Sequence, residues 1–116
     1  MVKYESQLDA VFTALAHPAR RMMLARLGKG EATVGELAQP LDMSLPAVTK
    51  HLKVLERAKL ISRSKNAQWR PCRLEAASLI AASGWIEEQR EIWESRLDRL
   101  ESYLHGIEKN GERKKR

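Results

Sequence analysis

The sequence predicts a mainly α fold carrying one small β-hairpin. Three observations lead there. Apolar residues recur at helical spacing over several stretches before residue 60 and again from about residue 76. Leu60-Ile61-Ser62-Arg63 and Trp69 to Leu74 are short β-compatible runs around Ser64-Lys65-Asn66-Ala67-Gln68, a turn-forming stretch. Gly28, Gly30 and Pro40 punctuate the helical segments, and Pro71 confines its strand to an edge. The 116 residues suffice for one small domain, read as residues 1–108, followed by a basic tail, 109–116, expected to be disordered.

Leu8, Val11, Phe12, Leu15 and Ala16 place a first helix over about 5–16. Pro18 suits the first turn of a second helix, which runs to about Leu27 with Met22, Met23, Leu24 and Leu27 on its buried side; Gly28 and Gly30 end it. Thr33-Val-Gly-Glu36 has the spacing of a capping box and opens a short third helix through Ala38, after which Pro40 breaks the chain direction. Ser44 is a good N-cap and Pro46 is tolerated in a first turn, so a fourth helix runs from Ser44 to about Ala58. Its apolar positions are Leu45, Val48, Leu52 and Leu55. The hairpin follows. A long helix then extends from about Ala76 to Ile107, with Leu79, Ile86, Trp93, Leu100 and Ile107 in one heptad position and Leu97 and Leu104 in the other.

Charge is segregated along this plan. The chain is formally +6, yet Ser44 to Arg73 holds eight basic residues against one acid, Glu56, while the other 13 basic residues meet 14 acids. A block of that kind attracts a polyanion, of which nucleic acid is the commonest. A short capped helix, a tight turn, a Ser-capped basic helix and a basic hairpin together form a winged helix-turn-helix. Its second helix must bury one side on the domain and offer the other to a major groove about 12 Å wide. The offered side begins with small residues, Ala47 and Thr49, that permit close approach, then Lys50 and Lys53 that reach bases or phosphates. Ser44, Arg57, Arg63, Lys65 and Arg70 are placed to hold phosphates. Arg63, Lys65 and Gln68 at the hairpin tip reach the backbone or minor groove alongside.

Phe12-Thr-Ala-Leu-Ala-His-Pro-Ala-Arg-Arg21, Thr33-Val-Gly-Glu-Leu-Ala38 and, most specifically, Met43-Ser-Leu-Pro-Ala-Val-Thr-Lys-His-Leu-Lys-Val-Leu-Glu-Arg-Ala-Lys-Leu-Ile61 resemble the ArsR/SmtB winged-helix transcriptional regulators over about Leu8 to Leu104. The resemblance implies a homodimeric repressor docked through its terminal helices. It also implies that Ser44, Pro46, Ala47, Thr49, Lys50 and His51 lie at or near double-stranded DNA. Metal-binding members carry thiolates where this chain has Ala38 and Pro40, and His105-x-x-Glu108 is only a fragment of the family's other ligand pattern. No metal or cofactor is therefore expected, and the sequence does not identify a small-molecule or metal inducer. The dimer is expected to use Phe12 and Leu15 from the first helix and Trp93, Leu97, Leu100 and Leu104 from the last.

Other readings stay open at this level. Cys72, near Arg70 and Arg73, is either a structural thiol or a redox sensor, and an effector-responsive derepressor of the same family, metal or thiol based, stays in view. Trp85 and Trp93 either pack a core and dimer seam or line an effector pocket. Trp69 supports the hairpin or stacks on a sugar. Met22 and Met23 read as core filler and His17 as a junction or cap residue. A dimeric interaction module whose basic face binds an acidic protein is the alternative of another class. No Gly-rich phosphate loop or nucleophile elbow suggests an enzyme. The opening residues lack the apolar core of a signal peptide, and no run approaches the ~18 apolar residues of a membrane span, so the expected location is the cytoplasm.

Overall fold

The computed structural model describes residues 2–64 and 70–114. Along the described chain the order is α1 (Val2–Leu15), α2 (Pro18–Leu27), α3 (Val34–Ala38), α4 (Leu45–Arg57), β1 (Ile61–Arg63), β2 (Cys72–Leu74) and α5 (Ala76–Lys114). The chain falls into two compact units, residues 1–82 and 83–116.

In the first unit, side chains satisfy orphan backbone groups at the C-terminus of α1 and at the N-termini of α2, α3 and α4. His17 is the extended N-cap of α2, its Nδ1 accepting the Ala19 N–H at 3.1 Å, and Pro18 follows as the first helical residue. From α2, Arg20 Nε donates to Ala14 O at 2.7 Å, Arg20 Nη2 to Thr13 O at 2.9 Å, and Arg21 Nη1 to Leu15 O at 2.7 Å. These carbonyls close α1; Thr13 O also accepts from Ala16 N at 3.2 Å, and the cations complement the negative end of the helix dipole. Gly30 turns the chain at φ +142°, where only glycine is comfortable. The capping box of α3 forms as the spacing predicts: Glu36 N donates to Thr33 Oγ1 at 3.2 Å and Thr33 N to Glu36 Oε1 at 3.3 Å.

Helix α4 ends in a Schellman arrangement. Leu60 N donates to Leu55 O at 3.0 Å and Lys59 N to Glu56 O at 2.9 Å, with Lys59 left-handed at φ +59°. Leu55 and Leu60, the apolar pair of that motif, are both fully buried. From α1, Gln7 Nε2 donates to Ala58 O at 2.7 Å, adding a donor at the same helix end. The turn feeds the chain straight into β1, which pairs antiparallel with β2 in the register Ile61↔Leu74, Ser62↔Arg73 and Arg63↔Cys72. Cys72 also exchanges both backbone hydrogen bonds with Ala32, at 2.7 and 3.2 Å, tying the hairpin to the segment before α3. Val11, Ala14, Met23, Leu27, Leu37, Val48, Leu52, Leu55, Leu60, Ile61 and Cys72 form the core between these elements, joined by Ala82 from the start of α5. The arrangement is a winged helix-turn-helix.

Several expectations are corrected. Met22 is 51% exposed, because 100° per residue carries it off the side of α2 that Ala19, Met23 and Leu27 share. Leu45 is 56% exposed at the first position of α4, about 60° round the helix from buried Val48. The strands are shorter than the β-compatible runs, and α1 begins at Val2. Helix α5 continues past Ile107 through Asn110-Gly111 to Lys114, so residues 109–114 are helical where disorder was expected. A single glycine costs an established helix only about 1 kcal/mol.

The second unit is the rest of α5. Arg90 pairs with Glu87 and Glu94 along one side, and Glu87 is held below the usual carboxylate range by the Arg90 hydrogen bond. Trp93, Leu97, Leu100 and Leu104 are more than half exposed in the single chain. Arg96 lies over the Trp93 ring, 6.0 Å from its centroid.

Candidate nucleic-acid interface

The candidate surface is built on α4. Val48, Leu52 and Leu55 are wholly buried, and each such side chain contributes about 1.5–3 kcal/mol by leaving water. That anchoring fixes which side faces out. Pro46, Lys50, Lys53 and Arg57 are exposed on it, and Ala47 and Thr49 are half-buried at its margins. Ser44 Oγ accepts the Ala47 N–H at 3.3 Å, and its hydroxyl proton remains to donate. The helix start thus offers uncompensated N–H groups, small side chains and then lysines, in the order that groove docking requires.

The hairpin lies beside the C-terminal end of α4. A polar groove lined by Glu56, Arg63, Ser64 and Arg70 joins the two. Arg70 is exposed, its backbone held at φ +34° where the chain returns into β2. Arg63 is half-buried, with its Nε turned inward and unpartnered, so only part of its guanidinium serves the surface. Lys65, Gln68 and Trp69 lie outside the described residues.

His51, for which the sequence leaves open contact with phosphate or packing beneath the helix, packs against α2. Its Nδ1 accepts from Arg20 Nη1 at 3.1 Å, and its ring lies 4.4 Å from that of His17, centroid to centroid. Burial first, then His17 and Arg20, lower its pKa from the ordinary histidine value. It links α4 to α2. The sequence signal was present in His17-Pro-Ala-Arg20, which reads as a helix start; that Arg20 reaches back to α1 and across to α4 depends on tertiary placement.

Cys72 is fully buried, and burial raises its thiol pKa, with the Arg63 guanidinium offsetting part of the effect. A thiol that is enclosed and protonated lacks the properties of a reactive one. Among the described residues no three His, Cys, Asp or Glu side chains gather as a metal-binding group. Phe12 and Leu15 are half-buried against the chain's own core, whereas Trp93, Leu97, Leu100 and Leu104 stand exposed on the second unit.

A helix-turn-helix domain family matches residues 15–63, which span α2, α3, α4 and β1. The chain is 41% identical over 73 residues to the HTH-type transcriptional regulator Rv2034 of Mycobacterium tuberculosis, covering 63% of this chain and 68% of that protein. It is 30% identical over 79 residues to the transcriptional repressor SdpR of Bacillus subtilis, covering 68% and 88%. Among solved structures it is similar to an ArsR family transcriptional regulator at 45% identity and a TM-score of 0.74, covering 78% of this chain and 94% of that one. The chain belongs to the ArsR family. As an ArsR-family protein it is a DNA-binding transcriptional regulator. No helix among the described residues is long and apolar enough to cross a membrane.

Proposed function

We propose that this ArsR-family chain is a cytoplasmic homodimeric repressor that occupies an inverted-repeat operator and acts by binding rather than catalysis. The observation that carries the reading is α4. Its capped start, buried Val48, Leu52 and Leu55 and exposed Lys50, Lys53 and Arg57 form a helix held rigidly on one side and basic on the other. Ala47, Thr49, Lys50 and Lys53 read bases. Ser44, Arg57, Arg70 and the outward part of Arg63 hold phosphates, and Pro46 lets the helix start approach closely. Lys65 and Gln68, which lie outside the described residues, are assigned to the same contact from their sequence position between β1 and β2 alone. His51 positions α4 rather than reading a base.

Residues 1–108 act as one binding and dimerisation domain in this reading. Trp93, Leu97, Leu100 and Leu104 make the dimer seam, with Phe12 and Leu15 giving what surface they retain. An exposed apolar ladder of that length is unusual on a monomer. A two-fold axis doubles the few base contacts of one α4 and requires a two-fold operator. Repression is supported by relatives such as SdpR, although the relative HlyU of Vibrio cholerae is a transcriptional activator.

Selection of bound sequences from a random duplex pool tests the reading. The expected product is an inverted repeat with half-sites about 10–10.5 base pairs apart, centre to centre, or a multiple of that. Recovery of no preferred sequence, with equal competition from random duplex, overturns it.

A further inference from the structure

Beside the apolar core that α2 and α4 share, a polar contact joins them, and it cannot survive protonation of His51 at Nδ1. Arginine donates and never accepts, so the Arg20–His51 hydrogen bond requires a bare Nδ1 on His51. The Nδ1 of His17 accepts the Ala19 backbone N–H at 3.1 Å. The two rings are 4.4 Å apart and tilted by 50°. Arg20 cannot swing away without abandoning Ala14 O and Thr13 O, which it caps at 2.7 and 2.9 Å.

The titratable or charged groups that act on the His51 ring are His17, from the α1–α2 junction, and Arg20, from α2; both disfavour a second positive charge. Among the described residues no carboxylate is hydrogen-bonded or ion-paired to either ring to offset it. The neighbours of His51 on its own helix, Lys50 and Lys53, are cationic as well.

We propose that His17, Arg20 and His51 form a proton-sensitive latch on α4, and that acidification opens it and weakens duplex binding. A proton taken from solvent by His51 Nδ1 replaces the lone pair that accepts from Arg20 Nη1. The ring becomes a cation against a guanidinium and a second imidazole, and the α2–α4 contact opens. Lys50 and Lys53 flank His51 on α4, so the opened helix presents them differently. The proposal rests on α4 being the groove-reading helix.

The test has two arms. Proton NMR of the two imidazoles in the free protein follows each ring between pH 8 and 5. The latch predicts that His51 titrates below the ordinary histidine value and that α4 and Arg20 amides shift with it. Titration of His51 at the ordinary value, with α4 amides unmoved, overturns the proposal without reference to DNA. The second arm measures affinity for the pool-selected duplex at pH 7.5 and 5.5, with circular dichroism confirming the fold at both. For one excluded proton, affinity falls by up to about tenfold for each pH unit below the His51 pKa. His51→Gln keeps an acceptor and cannot be protonated, so its ratio of affinities at the two pH values should approach one. Affinity that rises in acid and loses that rise in His51→Gln assigns His51 to a phosphate and overturns the latch, as does a ratio unchanged by the substitution. Failure to bind any duplex preferentially at pH 7.5 defeats the DNA reading instead, and the latch then stands or falls on the NMR arm.

Discussion

Arg20→Ala removes a side chain whose three hydrogen bonds join three helices. Two of them satisfy carbonyls at the end of α1, at 2.7 Å to Ala14 O and 2.9 Å to Thr13 O; the third goes to His51 at 3.1 Å. The bond to Ala14 O is partly buried, and a carbonyl left unpaired in such a place costs about 1–3 kcal/mol. Thr13 O is exposed, so water replaces that bond at a loss well under about 1 kcal/mol. The expected total is about 2 kcal/mol. For a chain of this size that is a fall in Tm of about 8 °C, or about 1–2 M in the urea midpoint with m unchanged. Urea unfolding followed by far-ultraviolet circular dichroism measures it, at fixed protomer concentration because association contributes to stability. Arg20→Lys, with one ammonium for two carbonyls, should fall about half as far. Arg20→Ala within about 0.5 kcal/mol of the parent refutes the reasoning, since that is the scatter of surface substitutions away from such features.

Other outcomes follow from the same structure. Lys59→Gly should stabilise by about 1 kcal/mol in the same assay, because the residue is left-handed at φ +59°. Leu52→Ala should cost about 2–5 kcal/mol by opening a cavity beneath α4, read as a lower urea midpoint. Trp93→Glu with Leu100→Glu should yield monomer by light scattering and lose duplex binding, while circular dichroism still reports a helical fold. The lowered pKa of His51 means that the unfolded chain binds more protons than the folded one, so stability falls as pH drops from about 7 toward 5; His51→Gln should flatten that slope.

What the sequence made legible was local. Thr33 and Glu36, Ser44 and Pro46, and the Pro18 start are capping signals read over one turn, and each forms as its spacing predicts. The buried stripe of α4 was legible at Val48, Leu52 and Leu55 from their periodicity. Leu45 was not, because periodicity cannot tell a first-turn residue at the margin of the stripe from one inside it. The form of the α4 terminus was hidden because a lysine, rather than glycine, adopts the left-handed turn. The longer reach of α5 was hidden because Asn110-Gly111 reads as a stop, although a formed helix tolerates one glycine. On the candidate site, the exposed lysines were legible from charge segregation. The inward turn of Arg63 and the engagement of His51 with α2 depend on residues distant in the chain, and no local pattern encodes them.

The central claim is that the exposed side of α4 enters a major groove, and substitution of Lys50 tests it most directly. On the pool-selected duplex, Lys50→Ala should lose about 1–3 kcal/mol of binding free energy and change the preferred base at one position of each half-site. Arg57→Ala should instead weaken all duplexes alike and reduce the salt slope by about 0.9 for each phosphate that the arginine no longer neutralises. If Lys50→Ala binds with unchanged affinity and selects the same sequence as the parent, α4 does not read the groove.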